Sequence, residues 1–370
     1  MTNSTTTSSL TKTVQIFLLL FLIFAGLYFS RSFLVPIALA GIMAILFLPL
    51  SRWLESKKIN RTITSVICIV VLLIIVGGFI FLIGWRVANL EANVNQIGQQ
   101  AEKYINQIKQ FVNTSFGVSA QQQQQMLKKQ GSSGVSSLAG YITGFASSVL
   151  GSLTTGVLVL IYIFLFINSR SHFKKFILQL VAEKDKENAV IIINETSEIA
   201  QKYVSGLAKM IVSLWIMYGI GFSIVGVNNA IFFAVLCGTL EIIPFVGNIT
   251  GTTLTVLMAL AQGGGGNMVM GVLITYGLVQ FIQSYILQPL VVGKDVDVNP
   301  LFTILILILG EAVWGIGGMV LSIPLLGMVK VVFDHIEPLK PYGFLIGSEK
   351  TDDDDDTSFM DKIKGWFKKS

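Results

Sequence analysis

The chain has 370 residues, of which 53% are hydrophobic and 13% charged, with a formal net charge of +5. Its apolar residues fall in long unbroken runs, and so few charges cannot cover the outside of a soluble fold that hides those runs. The composition therefore excludes a soluble globular domain and predicts an all-α polytopic membrane protein, and the small positive charge, spread over loops, calls for no nucleic-acid partner.

The first apolar run, Val14 to Phe29, follows Lys12. It lacks a small-residue cleavage site and a second run follows at once, so it reads as a retained anchor. Phe33 to Leu50 and Ile63 to Trp85 complete an N-terminal three-span region over residues 1–85. The intervening loop SRWLESKKINR carries Arg52, Lys57, Lys58 and Arg61, so the positive-inside rule places it, and with it the N-terminus, in the cytoplasm. Residues 86–140 are then extracytoplasmic. They contain QQQQQ and GSSG tracts and a seam of Val87, Leu90, Val94, Ile97, Ala101, Tyr104, Ile108 and Phe111 at alternating steps of three and four. Such a seam needs a partner helix, either from the same subunit or from another copy in a homo-oligomer.

Residues 141–167 form a fourth span, and the basic NSRSHFKKF that follows returns the chain to the cytoplasm. Residues 168–208 interleave Val190, Ile193, Ile199, Tyr203 and Leu207 with charges, which predicts cytoplasmic amphipathic helices at the membrane surface.

From Met210 onward the segment lengths change. Met210 to Val227 can span, but Ala230 to Ile243 and Ile249 to Ala261 have 14 and 13 residues, about 20 Å of helix each against a hydrocarbon core of about 30 Å. The pattern recurs: Met268 to Leu287 can span, while Leu301 to Trp314 and Met319 to Val332 are again short. Residues 209–262 and 267–333 thus each read as a span followed by a re-entrant helical hairpin. Because the second begins on the opposite side of the membrane, the two form an inverted repeat. The expected total is about six full spans plus two hairpins; the alternative is that each short pair is one kinked or tilted span. Residues 334–370 form a cytoplasmic acidic tail, DDDDD followed by KIKGWFKK, whose basic and aromatic end suits a membrane lipid surface.

Both hairpin tips carry an acid just before a helix breaker. Glu241 precedes Pro244, Phe245, Gly247, Asn248 and Gly251, while Glu311 precedes Trp314, Gly315, Gly317 and Gly318. Proline removes a donor and glycine lets backbones approach, so both tips expose polar backbone that protein or water must satisfy at membrane depth. A charged acid there costs about 2.5 to 3.5 kcal/mol on insertion scales. Each glutamate must therefore face a cavity, pair, or be protonated, and becomes a candidate for sodium or proton coupling or, structurally, for capping a helix end. Thr250, Tyr276, Gln280, Gln283 and Gln288 supply neutral donors and acceptors that either line a solute path or join helices. Glu241 and Glu311 facing a common aqueous cavity is the feature that separates a transporter from a scaffold. No Walker loop, metal-spaced His or Cys set, or nucleophile with a base is present, so no enzyme, metal or cofactor is predicted.

The stretches EIIPFVGNITG and LQPLVVGKDVDVNPLFTILILILGEAVWGIGGMVLSIPLLGMVK resemble the two signature regions of the autoinducer-2 exporter family, the PerM-like permeases of bacterial inner membranes. The resemblance covers nearly the whole chain in layout, with its specific motifs between residues 236 and 330. It implies a homo-oligomer, a pentamer, in the bacterial inner membrane, moving a small polar solute such as autoinducer-2 or, in some branches, sodium and protons. Residues and resemblance together predict a secondary transporter or facilitator with both termini cytoplasmic. A sodium/proton antiporter and an oligomeric membrane scaffold are the alternatives.

Overall fold

The structure, a computed structural model, describes residues 4–91, 153–244, 246–288 and 297–348. Among them every regular element is helical, and six helices are long and apolar enough to cross a membrane, or seven when one bent pair counts as a single span. The expected all-α polytopic membrane protein is what the chain forms.

Helix α1 (Ser4–Phe29) lies on the flank, with its apolar side chains from Val14 onward largely exposed. Helices α2 (Arg31–Leu46) and α3 (Leu48–Ser56) are bent by 47° about Phe47. Pro49, in the first turn of α3, cannot donate back into α2 and so marks the break. Helices α4 (Arg61–Glu91) and α5 (Leu153–Leu180) pack with α2 around Ala40, Ala44, Cys68, Ile163 and Ile167. Lipid is as apolar as these side chains, so close van der Waals fit, allowed by small residues such as Ala40 and Gly41, holds the group together rather than escape from water. Its polar end is tied by Arg170, which pairs with Glu55 and donates to Ser51 at 3.2 Å, while Arg61 reaches Ser171 at 2.9 Å.

Helix α6 (Lys186–Val225) has 40 residues and no internal break. At 1.5 Å per residue it is about 60 Å long, twice the hydrocarbon thickness. The amphipathic segment expected to end near residue 208 and the span expected from Met210 are one helix. It stops at Gly226, whose φ of +82° only glycine adopts easily.

Helices α7 (Ala230–Leu240) and α8 (Val246–Ala261) turn back on each other: the Cys237 thiol lies 3.3 Å from the Thr255 hydroxyl, and a Cβ on Gly251 would meet the Cys237 sulfur at 3.0 Å. Helix α9 (Gly265–Ile282) runs on into a π-helical turn, Gln283–Leu287. Helix α10 (Pro300–His335) doubles back at Gly315, where φ is 62° and ψ −145°, a region essentially reserved for glycine. A Cβ on Gly318 would stand 2.0 Å from the Gly310 carbonyl oxygen, so the two arms of α10 touch through their glycines. Short helix α11 (Lys340–Ile346) packs against the end of α10.

Helices α6 to α9 share a core of Leu214, Tyr218, Phe222, Ala234, Ala259 and Val272. At the crossing of α6 and α9 a Cβ on Gly221 would come within 2.1 Å of Thr275, so only glycine fits. Helix α10 joins this group to the first by packing on α6 and α2 and, through Trp314, by an indole hydrogen bond of 3.0 Å to the Leu27 carbonyl of α1.

Candidate functional site

The turn between α7 and α8 places Glu241 at the C-terminal end of α7, followed by Pro244 and then Gly247, where a Cβ would collide with the Leu240 carbonyl. The turn is fixed to its neighbours by side chains. The Trp215 indole of α6 donates to the Thr239 hydroxyl at 3.2 Å. The Glu241 carboxylate accepts from the Tyr218 hydroxyl at 3.0 Å and from the Gln280 amide at 2.7 Å. One carboxylate oxygen thereby ties the turn to α6 and α9 at once. Tyr218 is itself held between Phe222 and Tyr276, stacked at centroid distances of 5.3 and 6.1 Å. A hydrogen bond to a charged group is worth about 1.5–3 kcal/mol, and losing one partner leaves the other unsatisfied.

Beneath this turn lies a cavity of about 390 Å³. Glu241, Ile242, Ile243, Pro244 and Asn248 form its roof, and Gln280, Gln283, Ser284 and Gln288 line one wall. Tyr203, Leu207 and Met210 of α6 add to the lining, with the Met210 sulfur 3.9 Å from the Gln283 amide nitrogen, and Thr303 and Ile323, one from each arm of α10, complete it together with Val298. The π-turn carries Gln283 and Ser284 into the lining, and such turns recur where a helix must present side chains to a site. The Gln283 amide oxygen is buried with no hydrogen-bond partner.

The neighbours of Val298 are held by the C-terminal segment. The Asn299 amide donates to the Ile346 carbonyl at 2.8 Å, the Ser348 hydroxyl donates to Asp297, and the Lys330 ammonium lies 3.6 Å from Asp297 and 2.7 Å from Asp334. Partial burial works to raise the Asp297 carboxyl, but the Ser348 hydrogen bond and the Lys330 charge outweigh it and hold the group below its ordinary value.

Of the residues singled out from sequence, Glu241, Pro244, Asn248, Gln280, Gln283 and Gln288 come together around the cavity. Gly247 and Gly251 serve the α7–α8 turn, Tyr276 backs Tyr218, and Thr250 is exposed on α8. Glu311 is exposed on the first arm of α10, and neither it nor Trp314, Gly315, Gly317 and Gly318 lines this cavity. That second turn seats instead against α1 and α2, where a Cβ on Gly317 would meet Val35 at 2.7 Å. Phe245 and the seam residues Val94, Ile97, Tyr104, Ile108 and Phe111 lie outside the described residues, and for Val87 and Leu90 only the helical backbone of α4 is described. Sequence reasoning missed Tyr218, Tyr203, Ser284 and Thr303. Tyr203, Leu207, Met210, Leu214 and Tyr218 recur at steps of three and four, so helical periodicity run across the change from charged to apolar composition would have put Tyr218 on the Tyr203 face.

Comparison with known proteins covers the same ground. The family model described as AI-2E family transporter matches residues 16–337, from within α1 to just beyond α10. Two proteins of Bacillus subtilis (strain 168), named "Putative transport protein YrrI" and "Putative transport protein YueF", are 21% and 25% identical to the chain, over 87% and 88% of it and 92% of each relative. "Putative transport protein YhhT" of Escherichia coli (strain K12) is 20% identical over 89% of this chain and 92% of its own length. Since the family match and the helical membrane architecture extend over nearly the whole chain, the protein belongs to the AI-2E transporter family.

Proposed function

We propose that this membrane transport protein is a secondary transporter or facilitator that exports a small polar solute, of the autoinducer-2 kind, through the cavity beneath the α7–α8 turn. The observation that carries this reading is the Glu241 carboxylate, held by Tyr218 and Gln280 at the head of a cavity of about 390 Å³ whose remaining polar lining is neutral. Amides and hydroxyls supply orientation without the strong binding that would keep a solute from leaving. In this reading the two doubled-back elements, α7–α8 and α10, are re-entrant hairpins of an inverted repeat in the bacterial inner membrane, with both termini cytoplasmic. The assembly is a homo-oligomer joined by the seam from Val87 to Phe111. Aspartates at Val94, Ile97 and Tyr104 then dissociate it, as read by mass in detergent, whereas a seam within one chain leaves the mass unchanged.

Sodium/proton exchange is favoured as the second reading by one feature: the donors to Glu241 are neutral, and the Tyr218 hydroxyl can donate to a carboxylate or accept from a carboxylic acid, so proton gain and loss are both accommodated. Flux in proteoliposomes under imposed solute, pH and sodium gradients separates these readings. Transport predicts solute or ion flux that Glu241→Gln abolishes or uncouples while assembly is kept. Flux unchanged by Glu241→Gln removes the role of this residue, and no flux across the panel leaves the oligomeric scaffold.

A further inference from the structure

We infer that the cavity selects solutes by the sign of their charge, admitting neutral and cationic molecules and turning anions away, with the Glu241 carboxylate as the residue that sets the sign. This deepens the function proposed above and rests on the cavity being the solute path.

Three observations carry it. First, Glu241 is the one Asp, Glu, Lys, Arg or His in the described lining. The nearby ammonium of Lys330 is taken up by Asp297 at 3.6 Å and Asp334 at 2.7 Å, so it does not offset the carboxylate. Second, an anion needs free N–H or O–H donors. Around Glu241 the Tyr218 hydroxyl and the Gln280 amide are already spent on its carboxylate, and the Thr303 hydroxyl donates to the Asn299 carbonyl. Third, the buried group of the wall left without a partner is an acceptor, the Gln283 amide oxygen. The Gln283 amide nitrogen lies 3.9 Å from the Met210 sulfur and also bonds to the Glu241 carboxylate, so this donor too is taken up inside the wall. The lining therefore holds one formal negative charge, and its remaining donors, on Asn248, Ser284 and Gln288 among others, are neutral, so nothing in it offsets the repulsion of an anion. A unit charge about 6 Å from the carboxylate, at an effective dielectric near 20, shifts occupancy by roughly a hundredfold, attractive for a cation and repulsive for an anion.

The test reads the field directly and needs no knowledge of the cargo. Single cysteines replace Ser284 and Thr303 in the lining and, as a reference, Ala182 in the exposed turn ahead of α6. Each is placed in the full chain with the buried Cys68 and Cys237 changed to alanine. If that background fails to assemble, the native cysteines are kept and the rate without an added cysteine is subtracted. Reaction rates are measured with trimethylammonium-ethyl and sulfonatoethyl methanethiosulfonates, which differ chiefly in charge. The expected cation-to-anion rate ratio at Ser284→Cys and Thr303→Cys is at least tenfold above that at Ala182→Cys, and Glu241→Gln brings it within about threefold of the reference. A ratio equal to the reference, a ratio that Glu241→Gln leaves unchanged, or no reaction of either reagent at both lining positions overturns the inference. In parallel, vesicle flux of erythritol, choline and lactate separates the two levels. A protein with the charge ratio but no flux of any solute keeps the charge selection and loses the transport reading, while one that carries lactate as readily as choline loses the charge selection alone.

Discussion

The Ser322 hydroxyl donates to the carbonyl of Ile306 at 2.9 Å, although sixteen residues of chain separate them. In a continuous helix the two would stand about 24 Å apart, so this one contact fixes the reversal of α10 at Gly315. Gly310 and Gly318 face each other at the same level, and a Cβ on Gly310 would meet the Ser322 oxygen at 2.0 Å.

Closing the arms of α10 in this way makes the glycines more demanding than the hydrogen bond. Gly318→Leu or Gly310→Val is expected to remove most of the folded protein from detergent extracts, because a backbone-to-backbone contact has nowhere to move. Ser322→Ala is expected to cost only about 0.6 kcal/mol, a small downward shift in the detergent melting temperature. Similar melting curves for Gly318→Leu and wild type would show that the arms do not touch.

Tyr218 and Gln280 hold one oxygen of Glu241 from two different helices. Tyr218→Phe keeps the stacking with Phe222 and Tyr276 but removes the donor, with an expected cost of about 1–3 kcal/mol in stability. Gln280→Leu is expected to act similarly, and the double variant to lose less than the sum, because both act on the same carboxylate. Additive losses in a double-mutant cycle would show that the two donors serve different acceptors.

Cysteines at the exposed Asn229 and Asn267 are expected to react with membrane-impermeant maleimide from one side of the membrane, and cysteines at the exposed Lys57 and Glu337 from the other. That outcome requires α6 and α9 to cross in opposite directions, each followed by an element that returns to its own side. Reaction of Asn267→Cys and Glu337→Cys from the same side would remove the inverted repeat.

Asp297 has its carboxyl held below its ordinary value of 3.8 by Ser348 and Lys330, against the opposing effect of burial. Its charged form is favoured in the folded state, so the stabilisation is complete above pH 3.8 and disappears as pH falls through the lower folded-state value. Asp297→Asn is therefore expected to melt below wild type at neutral pH, with the two curves converging below pH 3.8. The side chain is 44% exposed, so the difference at neutral pH is expected to be small, under about 1 kcal/mol. A constant gap down to pH 2 would show that the pairing does not depend on the charge of Asp297.

The sequence by itself determined the class of the protein and the places of two of its turns. Run lengths measured against bilayer thickness need no tertiary contact to interpret, and the breakers at Pro244 and Gly315 mark turns because their effects lie in their own backbone. The glutamine wall was legible for a similar reason, since Gln280 and Gln283 sit three residues apart on one helix. The unbroken length of α6 was not legible from hydropathy. Composition changes near residue 208, but the backbone hydrogen-bond ladder of a helix continues across a change of solvent as long as no residue interrupts it. Nor could spacing pair Tyr218 with Glu241, 23 residues apart on separate elements, or set Glu311 on an exposed face away from that pair. Both tips show the same local pattern of acid before breaker. Which carboxylate faces a cavity depends on what packs against each turn, α6 and α9 for the first and α1 and α2 for the second, and such packing is settled by the shapes of distant helices.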